Sequence, residues 1–201
     1  MSHLSTGAAY DQIAERWLDD RFSQVDGVPQ HQRALAFLTA TGGWALNVGC
    51  GCNTRFNRLL QEHGLKCEGL DVSARMIELA QLADPEVVLH TGDICDWTPV
   101  RQYRFISAWD SLWHVPLESQ RAVMIKLISA LEAGGVFLFS AGGLDAPGEH
   151  RDNYMGPTVY YASLGIKGLL AVIDEARGIC RHLEFDQWPQ QHLYLIVQKM
   201  C

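Results

Sequence analysis

The chain has 201 residues and a formal charge of −7, with 16 Lys and Arg against 23 Asp and Glu. No basic cluster stands out from that balance, which argues against a nucleic-acid backbone as substrate. No apolar run reaches ~18 residues and no charged-then-apolar leader opens the chain, so neither membrane spanning nor secretion is expected. One soluble α/β domain covering 1–201 fits the length. The six cysteines (50, 52, 67, 95, 180 and 201) follow no metal-binding spacing and are expected as free thiols in a reducing cytoplasm.

Tyr10, Ile13, Ala14 and Trp17 fall at i, i+3, i+4 and i+7, the stripe of one helix. Asp26–Pro29 breaks the chain. His31, Ala34, Leu35 and Leu38 form a second stripe, which Thr41-Gly42-Gly43 ends. Ala45–Val48 reads as a buried strand, and Gly49 and Gly51 then turn the chain into a helix over Thr54–His63. Lys66–Val72 is a second strand, followed by a helix capped by Ser73 with stripe Met76, Leu79, Ala80, Ala83. Glu86–His90 and Tyr103–Trp109 are the next strands, and Glu118–Leu131 is an amphipathic helix ended by Gly134-Gly135. Val136–Ser140 is the fifth strand, and residues 141–158 form a long Gly/Pro-rich connection with no clear period. Connections of that length usually bind something or move. A helix carrying Leu169, Val172, Ile173 and Ala176 follows. Ile179–Asp186 and His192–Lys199 are then two strands whose short link favours an antiparallel hairpin.

Strand, Gly-x-Gly turn, helix and second strand make a βαβ unit. The glycines let backbone approach a ligand, and a helix N-terminus offers N–H groups. Asp71 follows Gly49 by 22 residues; an acid about 20 residues past the turn can accept hydrogen bonds from ribose hydroxyls. These features together point to an adenosine-containing cofactor. The dinucleotide pattern Gly-x-Gly-x-x-Gly is incomplete, because Thr54 stands at its third position.

The stretch Leu46-Asn-Val-Gly-Cys-Gly-Cys-Asn53 resembles motif I of the class I S-adenosylmethionine-dependent methyltransferases, Leu-Asp-x-Gly-Cys-Gly-x-Gly. It departs at Asn47, where that family usually has an acid, and at Asn53, where it usually has the last glycine. The resemblance covers about residues 40–199. It implies a Rossmann-like, doubly wound, seven-stranded sheet, mostly parallel with an antiparallel C-terminal strand. It implies S-adenosylmethionine as cofactor and S-adenosylhomocysteine as product. Tyr-Asp-x-Ile-Ala-x-x-Trp over residues 10–17 resembles the opening helix of many small-molecule members, so residues 1–40 are expected as a lid over a core spanning 41–201. Tyr10 and Trp17 could there offer aromatic faces to a sulfonium; a plain core helix is the competing reading. Met76 then lies where the family contacts adenine, and Thr91-Gly92-Asp93-Ile94 resembles the motif in which an acid meets the adenine amino group.

Ligands of such sheets bind outside the carboxyl ends of the strands, so Gly49, Asp71, Asp93, Asp110 and Ala141 should converge on one crevice. The cofactor candidates are Tyr10, Trp17, Gly49, Cys50, Gly51, Asp71, Val72, Met76, Asp93, Ile94, Trp109 and Asp110. The segment Ala108–Pro116 resembles the one bordering cofactor and acceptor in the family, and His114 in it is the candidate general base, with a satisfied structural histidine as the competing reading. Trp113, His114, Glu149, His150 and Tyr154 are the acceptor candidates, the last three in the 141–158 connection. His114, Glu149, His150 and Asp110 match no fixed ligand motif, so no metal is expected. The reading is methyl transfer to a small-molecule acceptor, with no nucleic-acid or membrane partner. An NAD(P)-dependent oxidoreductase and a non-catalytic S-adenosylmethionine-binding protein are the alternatives. Acceptor atom and oligomeric state are not legible.

Overall fold

The computed structural model describes residues 4–19 and 23–200. Nine strands follow in chain order: β1 (Trp44–Val48), β2 (Lys66–Asp71), β3 (Val88–Thr91), β4 (Tyr103–Ala108), β5 (Leu131–Gly142), β6 (Gly148–Asp152), β7 (Val159–Ser163), β8 (Gly178–Phe185) and β9 (His192–Lys199). Seven of them form one sheet in the order β3-β2-β1-β4-β5-β9-β8. All pairs from β3 to β5 are parallel, and β9 runs antiparallel to both β5 and β8. This is the Rossmann-like doubly wound arrangement expected. The strand order reverses between β1 and β4, which opens a crevice at their carboxyl ends.

The helices are α1 (Leu4–Asp11), α2 (Val28–Leu35), α3 (Arg55–Glu62), α4 (Ala74–Ala83), α5 (Leu117–Ser129) and α6 (Gly165–Glu175). Side chains alternate faces along a strand, and the centre of β5 splits accordingly. Phe137 and Phe139 pack with Leu127, Ile128 and Leu169 on one face. Val136 and Leu138 pack with Leu35, Phe56 and Leu60 on the other. Parallel strands covered on both faces must be apolar throughout. Val136, Phe137, Leu138 and Phe139 are accordingly fully buried.

Three expectations are corrected. The N-terminal stripe is not one helix. α1 stops at Asp11 and a 3-10 turn covers Ala14–Leu18. At that end the Asp11 side chain accepts hydrogen bonds from Ser73 Oγ at 2.6 Å and Arg75 N at 3.1 Å, at the start of α4. Second, α5 ends at Ser129, before Gly134-Gly135, and β5 already begins at Leu131, paired with Tyr103. A side chain at Gly135 would meet three backbone oxygens at 3.0 to 3.1 Å, so the glycine lets β5 pass through a register shift. Third, residues 141–158 are not a structureless connection. β5 runs on to Gly142, and β6 and β7 form a separate antiparallel hairpin. Gly148–Asp152 carries Glu, His, Arg and Asp with no buried face, so it has no apolar alternation to read.

Candidate active site

A cavity of about 310 Å³ lies at the β1/β4 switch point. Its floor is the glycine turn. Gly49 has φ 67°, and a Cβ there would sit 2.3 Å from Ser111 Cβ. Gly51 has φ 58° with nothing within 4 Å of a built Cβ, which leaves an open cradle. The turn is tied to β2 by its own amides. Gly49 N and Cys50 N both donate to Leu70 O, at 2.8 and 3.1 Å. Asp71 accepts from Gly51 N and from Ser73 N, each at 2.8 Å. Burial raises the Asp71 pKa, and the two amide bonds oppose that rise. The carboxylate therefore sits fixed on the cavity wall with acceptor capacity left over, since two oxygens offer about four lone-pair sites.

Gly49, Cys50, Gly51, Asp71, Val72 and Met76 all line the cavity. Asp93 and Ile94 do so from the turn after β3, where Asp93 Oδ1 caps Cys95 N at 2.8 Å. Ala141 does not reach it: it lies inside β5, paired to Leu193 of β9. Arg55 and Phe56, at the start of α3, were not read from the sequence as site residues but line the same wall. Arg55 lies over the Phe56 ring at 4.1 Å and donates to Asp26 O at 2.9 Å.

After β4 the chain turns sharply. Trp109 donates to Asp26 Oδ2 at 3.1 Å, and Asp110 adopts φ 53°. An aspartate tolerates the left-handed region better than most residues, and here it is clamped there. Asp110 N donates to Ser140 Oγ at 2.7 Å. Asp110 Oδ1 accepts from Ser140 Oγ at 3.0 Å and from His192 Nε2 at 2.9 Å. His192 Nδ1 meets Asp186 Oδ1 at 2.5 Å. Burial works to lower the His192 pKa, but the bonds and charges of Asp110 and Asp186 override it and raise it to about 9. An imidazolium thus bridges the two carboxylates. No local spacing announces it, because His192 is 82 residues from Asp110.

The part of the cavity around His114 is aromatic. His114 Nδ1 lies 2.8 Å from Tyr160 O. A carbonyl only accepts, so Nδ1 carries the proton and Nε2 is an acceptor. That lone pair receives the Tyr10 hydroxyl at 2.8 Å and Trp113 Nε1–H at 3.1 Å. Burial lowers the His114 pKa to about 4. Tyr10, Trp17, Trp109, Asp110, Trp113 and His114 all line the cavity. The Tyr10 and Trp17 rings are 5.5 Å apart, across the break between α1 and the 3-10 turn.

Glu149, His150 and Tyr154 do not line the cavity, and their expected place in the site is corrected. His150 is the register partner of Tyr161 and stacks behind it, outside the lining. Glu149 accepts from Tyr160 OH at 2.5 Å, His150 stacks on Tyr161 with centroids 5.1 Å apart, and Tyr154 is 95% exposed. Their neighbours Met155 and Tyr161 are the hairpin residues that reach in. The Tyr160-Tyr161 pair was the available signal, hidden because no strand was read there.

The N-terminal segment lies across the cavity. A side chain at Gly7 would come within 2.8 Å of Val72 O, so α1 sits against the chain there. Arg75 pairs with Glu15 at 2.8 Å, and Arg16 donates to Met155 O at 2.7 Å, joining the segment to the hairpin tip.

A methyltransferase-domain family model matches residues 21–189. The chain belongs to the methyltransferase-domain family. It is 29% identical over 126 residues to dTDP-3-amino-3,6-dideoxy-alpha-D-glucopyranose N,N-dimethyltransferase of Streptomyces fradiae, a match covering 59% of this chain and 48% of that protein. The chain thus spans about half the length of this curated relative. Among solved structures it is similar to magnesium protoporphyrin IX methyltransferase from Synechocystis PCC 6803 with bound SAM, at TM-score 0.73 and 15% identity over 99% of this chain and 98% of that one. It also resembles an amino pentose methyltransferase from Micromonospora echinaspora, at TM-score 0.66 and 14% identity over 90% and 93% of the two chains. At these identities the structural likenesses show the fold of this methyltransferase-domain protein.

Proposed function

We propose that this chain transfers a methyl group from S-adenosylmethionine to a small-molecule acceptor. The observation that carries the reading is a single cavity joining two unlike ends. One holds the Gly51 cradle and the fixed Asp71 carboxylate, and the other is walled by Tyr10, Trp113 and His114. Family membership supports the chemistry, and the amino-sugar methyltransferase among its relatives supports a small acceptor.

The chain's own residues suit the cofactor. Asp71 would accept from the ribose hydroxyls. Val72, Met76 and Ile94 would cover the adenine, with Asp93 at its edge. Gly49, Cys50, Gly51, Trp109 and Asp110 would border the methionine portion. S-adenosylmethionine, when bound, supplies an already activated methyl group. The protein's task is then positioning and exclusion of water. Tyr10 and Trp17 close the cavity, and aromatic faces attract a sulfonium. His114 does not serve as a general base in this arrangement, because its lone pair already holds two donors; it orients Tyr10 and Trp113 instead. The incomplete glycine pattern at Thr54 disfavours a dinucleotide pyrophosphate. We read residues 1–201 as one catalytic unit, with the N-terminal segment as its lid, working in the cytoplasm on a partner that is neither nucleic acid nor membrane. Among the described residues no helix is long and apolar enough to cross a membrane.

Calorimetric titration with S-adenosylmethionine, S-adenosylhomocysteine and NAD tests this. Micromolar binding of the first two and none of NAD is expected; tight NAD binding, or no binding at all, overturns it.

A further inference from the structure

We infer that the acceptor is a neutral amine, whose nitrogen takes up positive charge against a wall formed by Tyr10, Trp17, Trp113 and Tyr161. The inference rests on the methyl-transfer reading and names the substrate class of that same site. Four observations carry it.

The wall is continuous. From His114 the ring centroids of Tyr10, Tyr161 and Trp113 lie 5.3, 4.9 and 6.2 Å away, and Trp17, packed with Tyr10 against Cys52 and Met76, is 5.5 Å beyond Tyr10. All of these residues line the one cavity. Ring faces carry partial negative charge and attract cations, tryptophan most strongly.

The cation nearest this end is His192, 5.6 Å from the Trp113 ring, and it is held between Asp110 and Asp186. Among the lining residues the only Lys or Arg is Arg55, which lies over Phe56 at the other end and donates to Asp26 O. The charges of Asp71, Asp110 and Asp152 reach Tyr10, reinforcing a rise in its pKa that comes first from burial. A carboxylate or phenolate acceptor would meet no lining Lys or Arg at this end.

His114 is not free to act as a base. His114 Nε2 is filled by Tyr10 and Trp113, and Nδ1–H is spent on Tyr160 O. A hydroxyl acceptor must lose its proton around the transition state and could not pass it to His114. A neutral amine attacks with a lone pair it already owns.

Tyr10 can also orient such an amine. Its hydroxyl hydrogen goes to His114, which leaves Oη on the cavity wall as an acceptor for an amine N–H. In the step itself the nitrogen lone pair forms the new N–C bond. The C–S bond breaks with its electrons going to sulfur, and the positive charge passes from sulfur to nitrogen. The ammonium proton is lost to water after release. The charge therefore never leaves the aromatic wall.

The test uses choline and its uncharged isostere 3,3-dimethylbutan-1-ol as probes, titrated into the full chain saturated with S-adenosylhomocysteine. Sulfur is neutral in that complex, so any cation preference belongs to the acceptor end. Choline should bind at least about 10-fold tighter than the alcohol. Tyr161→Leu should cut that preference by about 3-fold or more while still binding S-adenosylhomocysteine, which shows that it is folded. Equal affinity, or preference for the alcohol, overturns the amine assignment and leaves the methyl-transfer reading standing. Failure of S-adenosylhomocysteine to bind at all overturns the methyl-transfer reading first, and the amine assignment with it. Methylation of a phenol or a carboxylic acid in preference to an amine of matched size also overturns the assignment.

Discussion

The two ends of the cavity are built differently. The cofactor end comes from turns that follow consecutive parallel strands, and its polar groups are tied by short local bonds: Gly51 N to Asp71, Ser73 N to Asp71, Cys95 N to Asp93. The end proposed for the acceptor is assembled from distant pieces. Tyr10 reaches His114 across 104 residues, His114 reaches Tyr160 across 46, and Arg16 reaches Met155 across 139. Local bonds make a site that folds with its sheet. Long-range clasps make one that closes only when the N-terminal segment and the β6–β7 hairpin have both docked. The contrast predicts a rigid cofactor end and an acceptor end that opens first, since segments with few buried contacts open at low free energy.

The largest effect should come from the cofactor floor. Gly49→Ala puts a Cβ 2.3 Å from Ser111 Cβ at a positive φ. It should cost more than about 3 kcal/mol, read as a fall in the urea midpoint of unfolding. Little change would mean that the turn is looser than the contrast requires.

The same contrast explains which parts were legible in sequence. Glycine turn, acid and strand ends lie within short windows, so Gly49, Asp71 and Asp93 could be placed together before any coordinates. β1, β4 and β9 were legible because buried strands are continuous apolar runs. The hairpin was not, because its strand Gly148–Asp152 buries no face. Tyr161 was lost with it, and Glu149, His150 and Tyr154 were placed in the site only because the segment read as a loop. The Asp110–His192–Asp186 bridge was invisible for another reason: it joins a turn after β4 to the start of β9, and nothing in either segment names the other. The helical stripe over residues 10–17 put Tyr10 and Trp17 on one surface correctly. It missed the break after Asp11, whose side chain bonds to the start of α4.

Stability should respond to pH from both sides. His31 is buried and lowered to about 3 by desolvation, and His114 is lowered to about 4, both from an ordinary 6.5. Neutral imidazole is preferred in the fold, so their contribution is full above about pH 6.5 and is lost as pH falls toward those values. His192 is raised to about 9. Its contribution is full below about pH 6.5 and is lost as pH rises through 9. Each is worth on the order of 3 kcal/mol at its limit. Urea unfolding at pH 4.5, 6.5 and 9.5 should therefore peak at the middle value. His192→Gln should flatten the alkaline limb and leave the acid limb in place. An unchanged alkaline limb in that variant would remove His192 as its cause.

Smaller effects separate the clasps. Tyr10→Phe removes one of two donors to His114 and should cost about 1 kcal/mol in thermal or urea unfolding. Arg16→Ala should change global stability by less than about 1 kcal/mol, because the Arg16–Met155 bond is exposed. Hydrogen exchange of α1 and of β6–β7 should nevertheless quicken together, with the β1–β4–β5 core unmoved. Faster exchange in the core, or in one of the two segments alone, would break the picture of a shared clasp.

The most direct test of two separable ends is S-adenosylhomocysteine affinity measured side by side in the wild type, Asp71→Ala and Tyr161→Leu. Removing a carboxylate that accepts hydrogen bonds from a ligand costs about 1.5–3 kcal/mol, or about 10- to 150-fold. The account predicts a loss of that size for Asp71→Ala and a change within about 2-fold for Tyr161→Leu. Equal losses in the two variants, or full affinity in Asp71→Ala, would contradict it.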